Sequence, residues 1–223
     1  MRGYLAIAHL CVMVKLREST ARPLRVAALV CCMGLLLGSA GCSGFTDRTL
    51  VIIGDSITGL TAKVVEKRFS TSFEVTTNAK WGARVDEQLQ AAELLAATEP
   101  DVVIINLGSN DALQDWPIED TRAALLKMLA FFKNADCVRF TTISTSMNQE
   151  SKPHKASAET INVALQAIAL AQRKRPQAGL VEWDSRIQSQ GVATLTSDTI
   201  HPNDAGALQL VDAYADSLAS CPG

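Results

Sequence analysis

The sequence predicts an α/β protein: a three-layer α/β/α sandwich built around a five-stranded parallel sheet, in one domain. Three observations predict it. Strand-length apolar runs alternate with helix-period segments from residue 49 to the end. The two strongest runs, 49–54 (TLVIIG) and 101–107 (DVVIINL), are apolar on both faces, as strands inside a parallel sheet are. The chain's 223 residues, 48% apolar and 20% charged, suffice for one buried core and are far from the composition of a disordered chain.

Each element follows from its pattern. Residues 49–54 form the first strand, and 56–68 a helix with Ile57, Leu60 and Val64 on one face. Residues 73–77 read as a weaker strand. Asp86 is a candidate cap for a helix carrying Leu89, Ala92 and Ala96, which Pro100 ends. After the 101–107 strand, Asp120 precedes a helix whose Leu125, Met128, Leu129 and Phe132 recur at helical spacing. Residues 138–143 are the fourth strand. Ile161, Leu165 and Ile168 mark a helix, 179–183 the fifth strand, and Leu208, Val211, Ala215 and Leu218 the last helix. No repeat or low-complexity segment interrupts this alternation.

The first 41 residues have a different character. Lys15, Arg17, Arg22 and Arg25 precede the apolar run 26–37, which ends in Gly38, Ser39, Ala40 and Gly41 before Cys42. That order is the order of a signal peptide, and the run is shorter than the roughly 20 residues a membrane-spanning helix requires. Residues 42–48 then form a short tether to a domain over 49–223. An earlier apolar run, 4–14, sits before the basic region, which suits translation beginning at Met13. The small residues before Cys42 resemble a bacterial lipoprotein processing site, which implies lipidation of Cys42 and a membrane anchor. Ser39 stands where such sites usually carry Leu, so cleavage after Ala40, giving a freely secreted protein, is the alternative.

Removal of that segment leaves 16 basic and 22 acidic residues. An acidic body with no basic stripe argues against nucleic acid as the main partner, because a polyanion is bound by Lys and Arg that displace its counterions. Cys137 and Cys221 are the two cysteines beyond Cys42. In an oxidising compartment such a pair suggests one disulfide; two buried thiols or a metal site are the alternatives, the latter without a Cys-x-x-Cys or clustered His to support it. The topology puts both at the N-terminal end of the sheet, and a bridge there contributes about 4 to 5 kcal/mol by loop entropy.

At the opposite, C-terminal rim, where ligands bind in open α/β sheets, chemically capable residues gather from distant stretches. The first strand runs into Gly54-Asp55-Ser56-Ile57, the second toward Trp81-Gly82, the third into Gly108-Ser109-Asn110-Asp111, and a loop after the fifth contains Asp198-Thr199-Ile200-His201-Pro202. Ser56 supplies a hydroxyl nucleophile at a helix N-terminus, where its N–H can donate to an oxyanion. His201 is the candidate general base, and Asp198, three residues before it, the group that fixes its tautomer. Gly82 N–H and the Asn110 amide are candidate further oxyanion donors. Asp184, at the end of the fifth strand, is the rival acidic partner.

These residues resemble the SGNH hydrolase family, also called GDSL-type esterases and lipases, whose four blocks are a Ser in Gly-Asp-Ser, a lone Gly, an Asn in Gly-x-Asn-Asp and an Asp-x-x-His near the C-terminus. Here they stand as Ser56, Gly82, Asn110 and the Asp198/His201 pair, in the family's order, across about 49–219. Ile57 replaces the usual Leu. The resemblance implies a flavodoxin-like sheet and a serine esterase working through an acyl-enzyme, with Ser56, Gly82 and Asn110 at the oxyanion. No cofactor or metal is implied. The expected partner is an ester-bearing small molecule, lipid or acylated glycan, met by a monomer in the cell envelope.

Taken singly these residues have plainer readings. A serine at a strand-to-helix turn is most often a cap, Asn110 and Asp111 suit a turn, and Asp198 can cap one. His154 lies in a Lys-rich polar segment that reads as solvated, which leaves His201 as the histidine for chemistry. Leu60-Thr61 stands where a phosphate-binding loop needs Lys-Ser/Thr, and Thr58 where the Gly-x-Ser-x-Gly elbow needs Gly. Trp81, Trp116 and Met147 are candidates to line the substrate pocket or to pack. Transfer of the acyl group to another hydroxyl, deacetylation of an envelope polysaccharide, and binding of a glycan or lipid without catalysis are the other functions the same rim supports.

Overall fold

The computed structural model describes residues 48–222. The expected signal peptide, Cys42 and all of the 42–48 tether except Arg48 lie outside the described residues.

Five strands form one parallel sheet: β1 (Thr49–Gly54), β2 (Glu74–Ala79), β3 (Val102–Asn106), β4 (Cys137–Thr141) and, after a two-stranded hairpin of β5 (Asn148–Gln149) and β6 (Lys152–Pro153), the edge strand β7 (Gln177–Val181). The order is β2-β1-β3-β4-β7, every pair parallel. Chain direction across the sheet reverses between β1 and β3, so the rim beside their C-terminal ends is the crevice where ligands bind in such sheets.

Strand pleating explains why both faces of β1 and β3 are apolar. Leu50, Ile52, Val102 and Ile104 enter one core, against α1 (Ser56–Phe69), α6 (Trp183–Gln190), α7 (Val192–Leu195) and α8 (Asp204–Leu218). Val51, Ile53, Val103 and Ile105 enter the other, with α2 (Leu89–Ala96), α4 (Ile118–Phe131) and α5 (Lys155–Ala171). The short helix α3 (Ser109–Leu113) follows β3 at the rim.

Boundaries shift where local chemistry differs from periodicity. Asp86 opens a single 3₁₀ turn, Asp86–Gln88, instead of capping α2. The helix expected after Asp120 begins at Ile118: Pro117 holds the cap position, and its carbonyl accepts the Asp120 and Thr121 N–H groups, both at 3.1 Å. Trp183, expected in the last strand, instead opens α6. The 148–153 hairpin, α3 and α7 are too short for a periodic signal.

At the far end of the sheet Cys137 and Cys221 form a disulfide, with Cα atoms 5.6 Å apart. Beside it the buried Arg139 guanidinium donates to Ser217 O (3.0 Å) and Gln177 O (2.9 Å), tying the end of α8 to the edge strand. The bridge closes an 84-residue separation. Replacing both cysteines by serine is expected to cost at most about 4 to 5 kcal/mol, read as a lower urea midpoint with activity retained, since the site lies at the other rim.

Candidate active site

The site begins where β1 becomes α1. Any side chain at Gly54 collides with Thr58 Oγ1 and the Asn106 carbonyl, so only glycine lets the chain turn here beside β3. The next residue, Asp55, takes the capping position: its carboxylate accepts the Ile57 N–H at 2.9 Å. Ser56 is therefore the first helical residue and its hydroxyl is free of cap duty.

That hydroxyl lies 3.0 Å from His201 Nε2. The other ring nitrogen, Nδ1, is 2.7 Å from Asp198 Oδ2. A carboxylate only accepts, so Nδ1 carries the proton and Nε2 is left to accept from Ser56. Asp198 is itself held by the N–H groups of Ile200 (3.0 Å) and His201 (2.7 Å) on its other oxygen. Desolvation pushes this carboxyl up, but the hydrogen bonds from the His201 ring and from the two N–H groups outweigh it and hold it below the ordinary aspartate range. Asp184, the rival, accepts from the Thr145 N–H and hydroxyl at 2.7 and 2.9 Å. It has no bond to His201.

Gly82 and Asn110 line the same cleft of about 260 Å³ as Ser56, Trp81, Gln149 and His201. Gly82 has φ +69°, and its missing Cβ would meet nothing, so backbone conformation and not space demands glycine. Asn110 Nδ2 donates to Asp55 Oδ2 (3.0 Å) and Ala83 O (3.2 Å). Both its hydrogens are thus engaged, and donation to a ligand oxygen requires one of them to turn away. The buried Asp111 joins three segments by accepting from Val85 N–H (3.1 Å) and Thr121 Oγ1 (2.8 Å), which fixes the chain just after Gly82.

A model of the GDSL-like lipase/acylhydrolase family matches residues 52–208. The chain belongs to this family. As an SGNH-type serine hydrolase it shares its fold with solved structures of low sequence identity. An alpha/beta hydrolase enzyme from the metagenome of Lake Arreo, Spain, is 19% identical, with a TM-score of 0.63 over 81% of this chain and 100% of that one. An acetylxylan esterase from Geobacillus stearothermophilus is 18% identical, with a TM-score of 0.62 over 78% of this chain and 96% of that one. A member of the lipolytic G-D-S-L family from Veillonella parvula DSM 2008 is 15% identical, with a TM-score of 0.64 over 78% and 99%. No curated protein matches the chain.

One expectation about this hydrolase is corrected, and one pair of alternatives is decided. His154 is buried, not solvated: its Nδ1 lies 3.0 Å from the Ala112 carbonyl, so the polar hairpin before it folds back onto α3. Met147 is buried in the core and Trp116 lies under the Arg84 guanidinium, 3.9 Å from its ring centroid. For these two the packing alternative holds; of the three candidates Trp81 lines the cleft. Among the described residues no group of three or more His, Cys, Asp or Glu side chains is placed to hold a metal ion, and no helix is long and apolar enough to cross a membrane.

Asp55 is the electrostatic feature that sequence reasoning missed. Burial drives its carboxyl from 3.8 up to about 7, against the opposing pull of the Ile57 N–H, the His201 charge and the Asn110 amide. Because the folded value lies above the unfolded one, the fold favours the protonated form. The stability this contributes is complete below about pH 4 and is lost as pH rises through about 7. Asp55→Asn is neutral throughout and abolishes that slope. Relative to wild type its unfolding free energy is expected to improve by as much as about 4 kcal/mol between about pH 4 and pH 8. Urea titrations of both proteins at the two pH values check this, and any constant offset from the substitution cancels in the difference.

Proposed function

We propose that this hydrolase cleaves carboxylic esters through an acyl-enzyme on Ser56. The observation that carries the reading is the continuous chain Asp198 to His201 to Ser56, at 2.7 and 3.0 Å, opening into a solvent-accessible cleft. His201 Nε2 takes the serine proton as Oγ attacks the ester carbonyl, and Asp198 stabilises the resulting imidazolium. The negative charge on the carbonyl oxygen is met by N–H groups of Ser56 and Gly82 and by the Asn110 amide. As the tetrahedral intermediate collapses, the C–O bond to the alcohol breaks and the imidazolium protonates the departing oxygen. Water then repeats the sequence at the acyl carbon, its proton passing to His201, and Ser56 is regenerated with release of a carboxylic acid.

The cleft supports short acyl groups. Its 260 Å³ falls below the roughly 300 to 1,000 Å³ of pockets that enclose drug-sized ligands, and it must also admit the start of the alcohol. The basic segment, apolar run and small residues before Cys42 support export to the cell envelope with a lipid on Cys42. Mass spectrometry of the mature N-terminus tests the anchor: an acylated Cys42 is expected, and an unmodified Gly41 or Cys42 at the terminus overturns it.

With p-nitrophenyl acetate, Ser56→Ala is expected to lose at least about a thousand-fold in kcat, and Asn110→Ala about a hundred-fold or more. Mass spectrometry of the quenched wild type is expected to find the acetyl group on the peptide carrying Ser56. Equal turnover by wild type and Ser56→Ala overturns the mechanism.

A further inference from the structure

Two cleft residues have no place in the acyl chemistry. The Trp81 side chain is 65% exposed, unusual for an indole that is not at an interface. Its ring stacks on His201 with centroids 6.5 Å apart and planes 28° from parallel. His201 hands its proton to the departing oxygen, so the indole flanks the alcohol half of a bound ester rather than the acyl half. Gln149 is the other exposed polar side chain of the cleft, and among the described residues its amide has no hydrogen-bond partner.

Gln149 is carried into the cleft by the 148–153 hairpin, which is fixed at both ends. On one side the ion pair between Lys152 and Asp115 and the contact of His154 with Ala112 O hold it to α3 and the residues after it. On the other, Thr199 Oγ1 accepts the Asn148 N–H and donates to the Asn148 carbonyl, both at 2.9 Å. Thr199 sits between Asp198 and His201 with φ +71°, a left-handed conformation that strains a β-branched residue. Glycine adopts it freely but has no hydroxyl to clamp the hairpin. Strain retained at such a place indicates a use for the side chain.

We propose that the alcohol half of the substrate is a carbohydrate, received against the Trp81 indole with its hydroxyls on the Gln149 amide, and that Thr199 is the positioning residue for Gln149. The proposal rests on the ester-cleavage reading of the site. A pyranose offers a flat face of C–H groups, which suits the exposed indole, and a rim of hydroxyls that both donate and accept. A primary amide does both in return. A simple alkyl alcohol uses the ring but leaves the amide without a partner, so the pair selects for a hydroxylated leaving group.

The test measures binding by full-length protein carrying Ser56→Ala, which separates it from turnover. Isothermal titration with partly acetylated methyl xyloside, retaining free hydroxyls, is compared with hexyl acetate. The sugar ester is expected to bind at least about ten-fold more tightly. Adding Trp81→Ala or Gln149→Ala weakens sugar binding by about three- to ten-fold each, the size of one stacking contact or one hydrogen bond. Thr199→Val weakens it similarly, and Thr199→Ser restores it. Thermal unfolding confirms that each variant is folded. Equal or tighter binding of hexyl acetate overturns the carbohydrate assignment, as does retention of sugar affinity within two-fold in both Trp81→Ala and Gln149→Ala. Unchanged affinity in Thr199→Val, or no recovery in Thr199→Ser, overturns the positioning role. Failure of the esterase reading shows separately, as absence of p-nitrophenyl acetate turnover by wild type.

Discussion

The whole site depends on which side chain caps α1. At a strand-to-helix turn a serine hydroxyl is a good cap, and a hydroxyl spent on backbone N–H groups cannot face a histidine 145 residues away. Asp55 removes that competition by accepting the Ile57 N–H, and Gly54 makes the turn tight enough for the two roles to fall on adjacent residues. The capping carboxylate also accepts from Asn110, so one buried group fixes both the helix start that carries Ser56 and the amide across the crevice. Its burial is the energetic cost, since a charge there is poorly solvated and the carboxyl holds its proton toward neutrality.

A polar layer beneath this turn keeps it rigid. Asn106, at the end of β3, donates to Thr58 Oγ1 at 3.1 Å and to Tyr214 Oη at 2.9 Å, linking α1, β3 and α8 under the cleft. Gln88 donates to the Gly54 carbonyl at 2.6 Å from the other side. Burial, and the neighbouring Asp55, push the Tyr214 hydroxyl to a higher pKa, so it remains a neutral donor and acceptor. Such groups are costly inside an apolar core unless satisfied, and here they satisfy one another. The benefit is positional: the turn that carries Ser56 is held in one place from beneath, whatever occupies the cleft above it.

Most of the frame was legible because it rests on patterns that repeat. Runs apolar on both faces gave β1 and β3, and helical spacing gave α1, α4, α5 and α8, since burial by a sheet and by a flanking helix imposes different periods. Ser56 and Asn110 stood out because each lies in a short motif at a strand end, Asp198 and His201 because they share one in a later loop, and Gly82 only by its order among these blocks. Asp55 was visible in the same motif but its capping and its burial were not, because serine and aspartate cap equally well on paper. His154 misled for a related reason. Lysines flank it in sequence, yet the turn at Glu150 and Ser151, both at positive φ, folds the segment back and buries the ring while the lysine remains outside. Composition describes a neighbourhood along the chain, and a hairpin replaces it with another.

Thr199 and the hairpin show why the remainder of the site escapes pattern reading. The link between Asn148 and Thr199 joins residues 51 apart through one hydroxyl, with no periodicity and no charge to advertise it. Backbone strain is equally silent in sequence, because threonine is an ordinary loop residue until its φ is known. The motif at Asp198 and His201 requires only that the carboxylate reach the imidazole; Ile200 supports it with its N–H, and the Thr199 side chain is left for another purpose. In this chain Thr199 spans to the hairpin, so the loop that carries Asp198 and His201 also holds the segment that brings Gln149 to the cleft.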